Sequence, residues 1–264
     1  MFREPIGEYA VGSGKYDTGF TGEGTRKRRI PVTFFYPETE PDIRCPVILC
    51  NHGLKGNDTE NTVLCLDLAS SGYAVFCIGH PYGASKLTYA DGTEFEDPTP
   101  FEEIRFKLDT VEPLWYEDIL TAIGFIKEMG ATDHKWKNRL MTEDMGAVGV
   151  SFGGCCSVTA ALKNKELTYA VNLDGSMFVE PEYIFPDKPI FVMCSPFNHK
   201  AHAGLVAAGC TNVRVEKIKK VSHFEFSDGI YLTKKGRNNR EWADRISKQR
   251  AELILDFIKQ TKTY

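Results

Sequence analysis

The sequence predicts an α/β fold: a mostly parallel central sheet with helices on both faces. Three observations carry this expectation. Short apolar runs recur along the chain, such as Val47-Ile48-Leu49-Cys50 and Val75-Phe76-Cys77-Ile78. Strands that are apolar on both faces belong to buried parallel sheets. Segments with helical spacing lie between these runs, and strand alternating with helix implies crossover connections. Finally, 264 residues, 42% of them hydrophobic, can bury a large core without staples. One α/β domain spanning residues 1–264 is therefore expected.

The elements follow in order. Residues 31–36 and 46–51 are β-rich runs. Residues 61–71 read as a helix stopped by Gly72, and 74–79 as the next buried strand. In 114–129 the apolar set Leu114, Ile119, Ile123, Phe125 and Ile126 has helical spacing, with Gly130 as its stop. A strand is expected at 145–150 and a helix at 152–163. Two short buried strands follow at 170–173 and 189–194. A helix at 201–209, a last strand at 213–218 and an amphipathic helix at 242–260 complete the series. Residues 81–113 are the exception. They are rich in Gly, Pro, Asp and Glu and separate a strand from its helix. A connection that long inside a compact unit reads as a lid-like insertion.

Charge and composition remove several function classes. Lys plus Arg number 32 against 36 Asp plus Glu, a net charge of −4. No global positive field exists to hold nucleic acid, so none is expected as a partner. No apolar run reaches the length of a membrane span. The N-terminal Met-Phe-Arg-Glu-Pro-Ile-Gly-Glu has no signal-peptide character. The eight cysteines lie mostly in apolar runs and form no CxxC pair. They are expected to be reduced packing residues of a cytoplasmic protein, with no metal and no cofactor. Nothing in the chain assigns an oligomeric state.

The chemistry concentrates at Gly149-Val150-Ser151-Phe152-Gly153-Gly154, between an expected strand and an expected helix. That context makes GxSxG a nucleophile elbow, with Ser151 exposed on a sharp turn at a helix N-terminus. A serine hydroxyl needs an adjacent base. Three histidines follow it: His199, His202 and His223. His223, just beyond the last strand, is the candidate base, with His199 and His202 as rim residues or alternatives. Asp174 ends the strand after the elbow helix and precedes Gly175, so it is the candidate acid. Asp187 and Asp228 are less well situated. The oxyanion donors are expected at the amides of Phe152 and of Leu54 in Asn51-His52-Gly53-Leu54. His52 is expected to pin that loop. His52, Tyr82, Trp115 and Phe178 are candidate substrate-pocket residues. The basic stretch 234–240 reads as a solvated turn or as a contact for an anionic group.

Taken together, these segments resemble the type II (plasma and intracellular) platelet-activating-factor acetylhydrolases of the α/β-hydrolase superfamily. The matching stretches are Asn51-His52-Gly53-Leu54, Leu66-Asp67-Leu68-Ala69-Ser70-Ser71-Gly72-Tyr73, and the elbow. Val171-Asn172-Leu173-Asp174-Gly175-Ser176-Met177-Phe178 and His223-Phe224-Glu225-Phe226-Ser227-Asp228 complete them. The resemblance runs from about Gly7 to the last helix. It departs at Val150, where that family usually has His. It implies an α/β-hydrolase fold and a calcium-independent serine esterase of small-molecule, short-acyl esters. It carries over Ser151 as nucleophile, Asp174 as acid, His223 as base, and Leu54 and Phe152 as oxyanion donors. A more distant similarity reaches dienelactone-hydrolase-like enzymes and cinnamoyl or acetyl esterases. A peptidase or amidase on the same fold, and a non-catalytic binding member, are the remaining alternatives.

Overall fold

The computed structural model describes residues 2–24, 27–177, 184–198, 200–207 and 209–262. Its main sheet has the strands β1 (Val11–Thr21), β2 (Arg28–Pro37), β3 (Cys45–Asn51), β4 (Ala74–Ile78), β7 (Leu140–Val150), β8 (Leu167–Leu173), β9 (Ile190–Cys194) and β10 (Val213–Lys217). Their spatial order is β1-β2-β4-β3-β7-β8-β9-β10. From β4 to β10 all neighbours are parallel, and β2 and β1 add an antiparallel edge.

The apolar runs are continuous because both faces are covered. In β3, Val47 and Leu49 enter one core while Ile48 and Cys50 enter the other. The first core is closed by α3 (Leu108–Thr132), α4 (Phe152–Lys163) and α5 (Lys200–Ala207). The second is closed by α1 (Thr62–Ser70) and α7 (Arg240–Thr261). Alternation of period two thus feeds two separate hydrophobic layers from one strand.

Four readings change. The edge strand β1 escaped the sequence reading because VGSGKYDTGFT is mostly polar and only part-buried, as an exposed sheet edge requires. Helix α3 starts at Leu108 rather than 114, with Pro113 inside it. That proline lies in the second turn, where it withholds the N–H that would otherwise reach the Asp109 carbonyl. The segment after β4 is not structureless: β5 (Lys86–Thr88) and β6 (Glu94–Glu96) pair as a hairpin, followed by α2 (Phe101–Ile104). The basic stretch begins with a short helix, α6 (Lys234–Asn238), whose N-cap Thr233 accepts from the Gly236 N–H.

All eight cysteines are buried and unbridged. Among the described residues no helix is long and apolar enough to cross a membrane. The parallel strands all end on one edge, and β3, β7, β8 and β10 deliver their C-terminal loops to a single cleft there.

Candidate active site

Ser151 leaves β7 with φ 55° and ψ −125° and starts α4. A side chain held in that region is strained, so the surroundings must hold the turn. They do so with main chain. Ser151 N–H donates to Leu173 O of β8 at 2.8 Å, and the Gly154 and Cys155 amides donate back to Ser151 O. Glycine is obligatory on both flanks. A Cβ on Gly153 would sit 2.2 Å from His52 O, and one on Gly175 would sit 2.1 Å from Ser151 O.

His223 comes from the loop after β10. Its Nε2 lies 2.8 Å from Ser151 Oγ and its Nδ1 lies 2.8 Å from Asp174 Oδ2. A carboxylate facing Nδ1 selects the tautomer that leaves Nε2 free to accept the serine proton. The ring's helical turn is closed by a reciprocal cap, in which Ser222 N–H donates to the Glu225 carboxylate. The His223 side chain remains 46% exposed, so solvent and ligand can reach it, whereas Asp174 is only 2% exposed.

Asp174 is held by partners the sequence reading did not weigh. Its Oδ1 accepts the Ser195 N–H at 2.7 Å and Asn198 Nδ2 at 3.2 Å. Asn198 Nδ2 also donates to Asp174 O at 2.8 Å. Asn172 clamps the turn below, accepting the Gly175 N–H at 2.7 Å and donating to Gly175 O at 2.9 Å. The available signal was positional: Ser195 directly follows β9, the neighbour of the strand that Asp174 ends.

The Asn51–Leu54 loop approaches the elbow from β3. Gly53 N–H is committed to Glu60 Oε2 at 2.6 Å, and Lys55 N–H to Gly83 O at 2.6 Å. Leu54 lies between them and lines the cleft beside Ser151 and Phe152. Burial pushes the Glu60 carboxyl up to about 7, opposed by the Gly53 amide and by His223. His52 Nε2 accepts the His80 N–H at 3.0 Å and its Nδ1 lies 2.7 Å from Gly53 O. Burial and His80 drive the His52 ring down to about 3, so it stays neutral.

His52 is therefore a buried support, not part of the cleft lining. Trp115 is fully buried too. Its ring stacks on His80 at 4.0 Å and meets Phe152 and His52 edge-on at 4.9 Å. Its indole N–H donates to Tyr82 O at 2.5 Å. Tyr82 is half-buried, with the Arg28 guanidinium 5.5 Å from its ring centroid. Two of the four expected pocket residues, His52 and Trp115, thus support the loops from beneath, because the aromatic cluster seals the core under the site. The fourth, Phe178, and His199 lie outside the described residues. His202 is on α5, Asp187 accepts from Thr211 Oγ1, and Asp228 is engaged by Val63 N–H and Arg250.

Beneath the loops runs a polar chain that sequence patterns did not reveal. Asn51 Nδ2 donates to Ser157 Oγ, and His80 bridges Asn51 Oδ1 and Asp118 Oδ2 at 3.0 Å each. Arg28 closes it on Asp118 Oδ1 at 2.7 Å. Burial pushes the Asp118 carboxyl up to about 7. The open cleft above measures about 190 Å³. Its outer wall comes from Phe101 and Arg105, in the segment between β4 and α3, and from Leu108, the first residue of α3.

Two solved structures align over nearly the whole chain. A ferulic acid esterase from Streptomyces cinnamoneus matches with TM-score 0.76 and 18% identity, over 97% of this chain and 91% of that one. A dienelactone hydrolase-like promiscuous phosphotriesterase from metagenomic libraries matches with TM-score 0.65 and 15% identity, over 94% and 99%. The chain has the α/β-hydrolase fold. No family model matches the sequence. At these identities the likeness establishes architecture, and the reaction must be argued from the residues.

Proposed function

We propose that the protein is a serine carboxylic-ester hydrolase that removes short acyl groups through a covalent acyl-enzyme. The observation that carries this reading is the continuous path from Ser151 Oγ through the His223 ring to Asp174, 2.8 Å at each step. Ser151 Oγ attacks the ester carbonyl carbon as its proton passes to His223 Nε2. Asp174 orients the ring and offsets the imidazolium charge. The Phe152 and Leu54 amides stabilise the oxyanion. The C–O bond to the alcohol then breaks, and His223 returns the proton to the leaving oxygen. Water enters, gives a proton to His223 and attacks the acyl carbon. The acyl C–Oγ bond then breaks, His223 returns its proton to Ser151 Oγ, and the acid leaves.

A cleft of about 190 Å³ suits a small acyl group, and the sequence resemblance to platelet-activating-factor acetylhydrolases favours acetyl. A second reading is an ester of an aromatic acid. Phe101 and Phe152 in the cleft wall favour it, as does the likeness to a ferulic acid esterase.

The test is hydrolysis of p-nitrophenyl esters from acetate to decanoate, alongside methyl ferulate. The short-acyl reading expects acetate to be fastest, fluorophosphonate labelling of Ser151, and no turnover by Ser151→Ala. Faster cleavage of methyl ferulate would select the second reading. Wild-type-like turnover by Ser151→Ala would overturn both.

A further inference from the structure

Three thiols from three elements meet in the second core. Cys50 on β3 and Cys77 on β4 are register partners across adjacent parallel strands. Both side chains enter the layer covered by α1, where Cys65 descends onto them. The Cys65 and Cys77 sulfurs lie 3.2 Å apart, and all three sulfurs lie within 4.8 Å of one another. None of the three residues is more than 4% exposed. The same hydrophobic layer includes Ile48, Val63, Val75 and Val148. No imidazole or carboxylate of the described residues joins the group.

We propose that Cys50, Cys65 and Cys77 form a three-sulfur site for a soft cation of the copper(I) class. The donor set argues for the class. Thiolates select soft ions, while calcium and magnesium demand oxygen. Structural zinc takes four ligands, and this cluster offers three. With metal–sulfur bonds of about 2.3 Å, a trigonal ion needs sulfurs about 4.0 Å apart. That spacing lies inside the observed limit and asks the Cys65–Cys77 pair only to part slightly. Binding displaces the thiol protons to solvent as three sulfur–metal bonds form, with no change of oxidation state. Occupancy would fasten β3, β4 and α1 together one residue before Asn51. This site is separate from the proposed ester chemistry, and its test needs no turnover.

The experiment titrates reduced, desalted protein with copper(I) held by a chromogenic chelator. The expected result is transfer of one ion per chain, with a rise in melting temperature. Alkylation under partial denaturation, read by mass spectrometry, should then find Cys50, Cys65 and Cys77 shielded while Cys155 and Cys210 react. Cys65→Ala and Cys77→Ala should lose the transfer, and Cys156→Ser should keep it. No transfer, unchanged transfer in both alanine variants, or shielding spread over other cysteines would overturn the proposal and leave the trio as core packing. The alkylation arm uses the wild-type chain, so a variant that fails to fold does not remove the test.

Discussion

His223 and Asp174 are bound through one oxygen only. Nδ1 faces Oδ2 at 2.8 Å, while Oδ1 is taken by the Ser195 N–H at 2.7 Å. The carboxylate is thereby fixed in rotation before the imidazole arrives. Under the proposed mechanism Asp174→Asn keeps the shape but offers an amide to Nδ1 and favours the wrong tautomer. Turnover of p-nitrophenyl acetate should fall by about 10⁴-fold. A loss below tenfold would remove Asp174 from the acid role.

Asn198 holds the same aspartate from the side, through its main-chain and side-chain oxygens at 2.8 and 3.2 Å. Asn198→Ala deletes both bonds and leaves the triad intact. A hydrogen bond to a charged group contributes about 1.5–3 kcal/mol. The expected effect is a fall in kcat of about 10- to 100-fold with KM nearly unchanged. Equal losses in kcat and thermal stability would reassign Asn198 to folding alone.

Glu60 makes stability depend on pH. Burial raises its carboxyl from 4.5 to about 7, assisted by Cys50 and Asp228 and opposed by the Gly53 amide and His223. The fold therefore prefers the protonated form. That contribution is full below about 4.5 and is lost as pH climbs through about 7. Glu60→Gln keeps an oxygen for the Gly53 N–H and cannot ionise. Urea midpoints between pH 4.5 and 8 should decline less in the variant. A steeper decline in the variant than in wild type would contradict the burial argument.

Gly153→Ala tests the crowded elbow. The new methyl would meet His52 O at 2.2 Å, so the Asn51–Leu54 loop must retreat or the turn must open. Overpacking of this kind costs about 1–3 kcal/mol. Loss of that size in unfolding free energy, with esterase activity reduced at least tenfold, is expected from chemical denaturation and steady-state rates.

The parallel strands and the elbow helix were legible because their signals are local. Continuous apolar runs mark buried strands, and α4 spans Phe152–Lys163, the residues the sequence reading gave it. Ser151, Asp174 and His223 were also readable as strand-end residues, and the fold brings their side chains together. What escaped depends on the third dimension. β1 is polar because it forms an edge, and β5–β6 is too short to carry a period. Trp115 looked like a pocket residue, yet it is fully buried beneath the loops, its indole N–H committed to Tyr82 O. Ser195 contributes only a backbone N–H, which no residue type can advertise.

The segment between β4 and α3 supplies Phe101 and Arg105 to the cleft, whereas Ser151, Asp174 and His223 all come from beyond it in the chain. Under the proposed function, part of the cleft wall and the reacting groups thus lie on separable stretches of polypeptide. Grafting another sequence between β4 and α3 would redraw the mouth of the site while leaving its reacting atoms in register, which makes that stretch the natural place to retune what the protein accepts.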